Sequence, residues 1–186
     1  MEEKTELVKQ ARRGDAHAFA VLYEDIYEDL YRYAFYMLQN RHDAEDAVSE
    51  GVLAAYDSIH KLKSAEAFRG WMFQIVTNIC RKKRKEYAKK HVSLDAQAEI
   101  LPLEQIRCQR DWIEQAGGQQ DIRGALDRLS EEERQIIGMS VLGGYTSEEI
   151  GRILHLKAGT VRSKLSRGLA KLKDMLGSEW QEAVKG

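Results

Sequence analysis

The sequence predicts an all-α protein: two small helical domains joined by a linker, the C-terminal one a helix-turn-helix. Three observations carry that expectation. Apolar residues recur three and four positions apart through most of the chain, the period of a helix face and not of a strand. The single proline, Pro102, falls in a central stretch where this periodicity lapses. Beyond it, Ser130-Glu131-Glu132-Glu133 and Thr146-Ser147-Glu148-Glu149 have the pattern of capping boxes that open new helices. At 186 residues the chain suits one ordinary domain or two small ones.

Taken in order, residues 17–38 place Phe19, Leu22, Tyr23, Ile26, Leu30, Tyr33, Ala34 and Met37 at helical spacing, which predicts one amphipathic helix. Asn40 suits the N-cap of the next helix, and Asp43 in its first turn complements the positive end of the helix dipole. That helix, about 43–58, is expected to bury Ala44, Val48, Gly51, Val52 and Ala55. A third, about 65–87, buries Phe68, Trp71, Met72, Ile75, Val76 and Ile79. Three helices with complementary stripes make a first domain, residues 1–88.

Residues 89–121 have scattered apolar positions, contain Pro102 and close on Gly117-Gly118, so they read as a linker with a short helix near 103–115 around Trp112 and Ile113. From Ile122 the helical pattern returns, with Leu126 and Leu129 at the end of one helix. Ser130 opens another, with Ile136, Ile137 and Val141 inward, and Gly143-Gly144 stops it. Thr146 opens a short helix through Leu154; after a turn at His155-Leu156-Lys157 a last helix runs from about Gly159 to Leu176. These elements make a second domain, residues 122–177, followed by a tail, 178–186.

Hydrophobic residues are 43% of the chain and charged residues 32%, so a packed core is expected and general disorder is not. No segment approaches the roughly 18 uninterrupted apolar residues of a membrane span. The N-terminal Met1-Glu2-Glu3-Lys4 lacks the apolar run of a signal peptide, and a cytoplasmic protein is expected. Cys80 and Cys108 have no metal or redox spacing and read as small apolar residues of a reducing compartment. A net charge of −1, taken alone, argues against a nucleic-acid binder, but the distribution of charge argues for one. Residues 81–90 hold seven Lys or Arg and one Glu, and residues 155–173 hold six Lys or Arg and no acid. Acids gather elsewhere, at 24–29, 43–50 and 131–133, so different faces are expected to meet different partners.

The segment from Ser147 to Val161 fits a helix-turn-helix, with Ile150, Leu154, Leu156 and Val161 apolar and small Gly151 where the two helices must approach closely. His155 stands where the turn usually favours glycine. On the last helix Val161, Leu165, Gly168, Leu169, Leu172 and Leu176 share one face, and Arg162, Ser163, Ser166 and Arg167 face the other way. Arg takes guanine edges or phosphates, and Ser suits either, which is what a major-groove helix presents; an ordinary basic surface is the bland alternative.

In the first domain the readings are weaker alone. Leu53 lies opposite the apolar centre of its helix, flanked by Asp46, Ser49, Glu50 and Asp57, which fits either a docking patch for a basic protein or a lone surface leucine. Gln74, Asn78, Arg81 and Lys85 form one polar stripe beside Phe68-Arg69-Gly70-Trp71. Such a stripe can hold a splayed single strand, or can simply face water while Trp71 joins the core.

The order of these features resembles the extracytoplasmic-function sigma factors, the small two-domain group of the sigma-70 family. The matching stretches are DAEDAVSEGVLAAY (43–56), FRGWMFQIVTNICRKKRKE (68–86), LDRLSEEERQII (126–137) and YTSEEIGRILHLKAGTVRSKLSRGLAKLK (145–173). The resemblance implies that the 43–57 helix, through Asp46, Ser49, Glu50 and Leu53, binds the coiled coil of the largest RNA polymerase subunit. It implies that the 60–85 region melts the −10 element, Asn78 matching the family's asparagine, with Gln74, Arg81 and Lys85 beside it. The last helix would read the −35 element through Arg162, Ser163, Ser166 and Arg167. The implied partners are core polymerase, promoter DNA and an anti-sigma factor, with no cofactor, metal, membrane insertion or small-molecule substrate. The chain departs from the family's usual residues at Ser49 (Gln), Val52 (Phe) and Ala54 (a basic residue), and its 61–67 loop lacks the usual Asp-Pro start.

Other classes fit less well. A stand-alone helix-turn-helix regulator would be expected to carry a dimerisation segment, which is not apparent. A helical adaptor would leave the basic faces incidental. For an enzyme there is no paired-carboxylate, metal-spaced, nucleophile-base or phosphate-cradling pattern.

Overall fold

The computed structural model describes residues 2–62, 64–91 and 124–176, and these contain helices and no strands. The linker expected at 89–121, apart from its first residues, the short helix near 103–115, and the 178–186 tail lie outside the described residues.

The described N-terminal residues form α1 (Glu2–Arg12), α2 (Ala16–Glu24), α3 (Tyr27–Leu38), α4 (Arg41–Ser58) and α5 (Phe68–His91), with a 3-10 turn at Ile59–Lys61. Helix α1 is an addition to the elements that periodicity predicts. The single helix expected over 17–38 is two, because the backbone breaks at Asp25-Ile26 without glycine or proline. The break lets α2 pack on α1 and α4 while α3 turns to α4, α5 and the other domain, with Ile26 buried at the corner. Asp15 caps α2 by accepting the N–H groups of His17 and Ala18 at 2.9 and 3.0 Å. Asn40 caps α4 as expected, accepting the Asp43 N–H at 3.1 Å. Helix α5 starts later than expected and runs four residues past 87, so the basic run 81–90 is helical throughout. Val52, Trp71 and Ile75, expected in the core, are half-buried at its edge; Phe73, Thr77 and Cys80 are buried there instead.

The C-terminal domain begins with a helical turn at 124–127 and continues with α6 (Glu131–Val141), α7 (Ser147–Leu154) and α8 (Ala158–Leu176). Both capping boxes form reciprocally. Ser130 and Thr146 accept the Glu133 and Glu149 N–H groups at 3.3 Å. Those glutamates accept the N–H groups of Ser130 and Thr146 at 2.9 and 2.8 Å. Val141, expected inward, is exposed: it closes α6 where the chain turns away through Gly143 and Gly144, and Met139 is the buried residue of that turn.

Seven consecutive residues of α6, Glu133 to Met139, are buried. An amphipathic helix on the surface of a small domain buries one face. Here the second face is covered as well, because α6 lies between α8 and α3 of the other domain. The two cores are continuous: Tyr33 stacks obliquely on Phe73 at 5.4 Å, and Phe73 meets Tyr145 of the C-terminal domain edge-on at 5.1 Å.

Candidate nucleic-acid interface

The helix-turn-helix is built as its residues require. Ile150 and Val161 are fully buried, and Leu154 and Leu156 are half-buried. Gly151 accepts the Leu156 N–H at 2.8 Å, and a Cβ on Gly151 would lie 2.6 Å from the Leu156 carbonyl oxygen, closer than any side chain tolerates. The turn at His155 is left-handed, with φ of 58°. Histidine tolerates this region better than bulkier residues but at a cost of roughly 1 kcal/mol.

Helix α8 then divides as its sequence divides. Val161, Gly168 and Leu172 are buried, and Arg162, Ser163, Ser166 and Arg167 are all exposed. Arg162 reaches Glu148 at 2.7 Å, but both side chains are more than 60% exposed, and such surface pairs hold a side chain only weakly. The other cations of this helix have different tasks. Lys164 pairs with Glu132 at 2.8 Å, and Lys171 with Glu133 at 2.8 Å. Burial would raise the Glu133 carboxyl. The Lys171 ammonium and the N–H and hydroxyl of Ser130 overcome that and hold it at about 2. The acidic triplet at 131–133 is therefore occupied inside the protein, one residue each on Arg84, Lys164 and Lys171, which leaves the arginines of α8 to point outward.

Helix α5 carries the second expected set. Asn78, Arg81 and Lys85 are exposed and Gln74 is half-buried. The structure brings them together with residues that the sequence did not connect to them. Gln74, Asn78 and Arg81 line one wall of a cleft of about 350 Å³ whose opposite wall is Glu132, Gln135, His155 and Leu156 of the C-terminal domain. The Gln74 amide nitrogen lies 3.0 Å from His155 Nε2. Nearby, Arg69 sits 4.6 Å over the Tyr145 ring and pairs with Asp29 at 2.9 Å. No local pattern marks Arg69, Tyr145 or His155 as neighbours of this stripe, because the contacts join positions far apart in sequence.

The third set lies on α4. Ala44, Val48, Gly51 and Ala55 are buried, while Asp46, Ser49, Glu50 and Leu53 are exposed. Leu53, at 68%, is the most exposed large apolar side chain among the described residues. Asp46 is only loosely paired with Lys83, at 3.8 Å. No group of His, Cys, Asp or Glu among the described residues is arranged to hold a metal ion, and no described helix is long and apolar enough to cross a membrane.

Comparison with known proteins agrees with this arrangement. The model of Sigma-70 region 2 matches residues 22–90, and that of Sigma-70 region 4 matches residues 119–172. The ECF RNA polymerase sigma factor SigW of Bacillus subtilis is 30% identical over 91% of this chain and 94% of its own. Among solved structures, CnrH in complex with the cytosolic domain of CnrY shares the fold with a TM-score of 0.68 at 21% identity, covering 94% of this chain and 97% of that one. The sigma factor RpoE of Bartonella quintana, solved with the anti-sigma factor NepR, does so with a TM-score of 0.62 at 22% identity, over 82% and 94% of the two chains. With two family models in chain order and a relative aligned end to end, this chain belongs to the extracytoplasmic-function sigma factors of the sigma-70 family, initiation factors that bind core RNA polymerase, recognise the −35 and −10 promoter elements and promote melting.

Proposed function

We propose that three exposed surfaces divide this work. Arg162, Ser163, Ser166 and Arg167 on α8 read the −35 element in the major groove. Asn78, Gln74, Arg81 and Lys85 on α5 capture the non-template strand of the −10 element. Asp46, Ser49, Glu50 and Leu53 on α4 dock on core polymerase. The functional units are residues 1–88 and 122–177, joined by 89–121, with 178–186 a tail. The protein works in the cytoplasm, where polymerase is, and an anti-sigma factor restrains it, by analogy with RpoE, which was solved in complex with one.

The observation that carries this reading is the division of α8: its apolar face is buried in its own domain, and its four polar residues are engaged only by the exposed Arg162–Glu148 pair and by a 3.3 Å hydrogen bond that Arg167 Nε donates to the Ser163 carbonyl of the same helix. For the −10 surface, capture of bases by stacking contributes about 1–3 kcal/mol each, enough to offset the opening of a few base pairs. A stand-alone regulator would bind duplex tightly without polymerase. One reading helix engages few phosphates, so the free protein binds duplex weakly.

Reconstitution with core polymerase and run-off transcription on genomic fragments tests the reading. Initiation at defined start sites is expected. Asn78→Ala is expected to reduce transcription from duplex promoters about tenfold and to spare templates melted beforehand. Equal loss on both templates would remove Asn78 from strand capture.

A further inference from the structure

We infer that Glu148 of α7 makes Arg162 a reader of guanine: its carboxylate holds one arm of the guanidinium and turns the side chain away from phosphates and toward the neutral acceptors of a base edge. This rests on the assignment of α8 to the −35 element.

Local structure carries the first half. Glu148 stands in the first turn of α7, where an acid complements the positive end of the helix. The cap itself does not use it. Glu149 does that work, accepting the N–H and the hydroxyl of Thr146 at 2.8 Å each. Nor does Glu148 take Arg152, the i+4 neighbour with which a helical glutamate ordinarily pairs. Its Oε1 instead accepts from Arg162 Nη1 at 2.7 Å, across the turn and 14 positions on in the chain. Arg162 lies near the N-terminus of α8, the part of a recognition helix that meets base edges. Arg167, on the same exposed face, has no carboxylate partner among the described residues, so the screening is particular to Arg162.

Electrostatics carries the second half. A guanidinium presents its N–H donors in a planar fork. With Nη1 on Glu148, the edge formed by Nε and Nη2 is left, and such an edge makes two parallel bonds to O6 and N7 of guanine. A phosphate fits the same edge, but it brings a second negative charge beside the carboxylate. Guanine brings none. The carboxylate therefore penalises the phosphate and spares the base, a gain in specificity obtained by repulsion. In the free chain both side chains are more than 60% exposed and the pair is weak. Seated in a groove it loses water, and both the attraction within the pair and the repulsion of a phosphate grow as the local dielectric falls.

Holoenzyme reconstituted on core polymerase, bound to duplex promoters that carry each base in turn through the −35 element, tests this. One position is expected to demand guanine, and Arg162→Ala to erase that demand. Glu148→Ala and Glu148→Gln, the second of which removes the charge and keeps the size, are both expected to cut the preference for guanine there about tenfold. Both are expected to strengthen binding to promoters with another base at that position about threefold. The slope of log affinity against log salt should steepen by about one, as Arg162 takes a phosphate. In an Arg162→Ala background neither variant should change the preference further. Glu148 variants that weaken binding equally on every sequence, or that leave the preference for guanine unchanged, overturn the inference and leave Glu148 as a helix N-terminal acid. If Arg162→Ala erases the preference while the Glu148 variants keep it, the assignment of α8 stands and only the role of Glu148 falls. If Arg162→Ala itself keeps the preference, base reading by Arg162 fails, and the inference fails with it.

Discussion

The two helices proposed to meet DNA make opposite use of their surroundings. Helix α8 is held chiefly by its own domain: Val161, Gly168 and Leu172 pack inward, Lys164 and Lys171 tie it to α6, and the face with Arg162, Ser163, Ser166 and Arg167 is exposed. Helix α5 is held by α3 and α4, but its polar stripe looks across a cleft at α6 and α7. One surface is ready in the isolated chain and the other is shared with a neighbour. A helix whose partners are all local can be deployed without rearrangement; a helix with a partner in another domain is only as available as that contact is weak.

The largest effect that would sharpen this contrast is on α4, away from both helices. Leu53→Asp is expected to cut core-polymerase affinity a hundredfold or more while leaving thermal unfolding within about 0.5 kcal/mol, since Leu53 is exposed. Normal recovery of the mutant with core enzyme in pull-down would remove this residue from the dock. Next, Arg162→Ala is expected to weaken promoter binding by about 1–3 kcal/mol and to relax preference within the −35 element. Equal loss on every sequence, measured by competition on variant duplexes, would reassign Arg162 to a phosphate.

Two smaller effects probe how each helix is held. Glu133 has a folded-state pKa of about 2 against the ordinary 4.5, so its contribution to stability is present above pH 4.5 and is lost as the pH falls from about 4.5 to about 2. Glu133→Ala should therefore destabilise the C-terminal domain by about 2 kcal/mol at pH 7 and by little at pH 2, read by urea titration at both. A deficit independent of pH would mean that the cap and Lys171 contribute nothing through charge. The smallest expected change is His155→Gly. It relieves a left-handed histidine and should stabilise the C-terminal domain by up to about 1 kcal/mol in chemical denaturation. It also deletes the contact to Gln74, so a gain in domain stability accompanied by a looser domain contact separates the two roles of this residue.

Much of the site is legible in the chain's local patterns. Capping boxes at Ser130 and Thr146, the cap at Asn40, and the division of α8 rest on interactions within a few residues, and local rules capture them. The exposure of Leu53 follows from helical phase alone. The break at Asp25-Ile26 is not legible, since no glycine or proline marks it and the turn serves the packing of α2 and α3 on different neighbours. Nor is the burial of Arg134 and Gln135: a polar run on an amphipathic helix reads as a solvated face until a second domain covers it.

By itself, then, the sequence determined the helical class and which residues α4 and α8 expose, because these depend on periodicity and capping over short spans, while the family came from the order of the stretches that resemble it. Only the tertiary structure decided where the acidic triplet at 131–133 goes and that the α5 stripe faces His155 and Glu132. Those features arise from contacts between residues tens of positions apart, whose pairing depends on how two finished surfaces fit, and no local pattern encodes that fit.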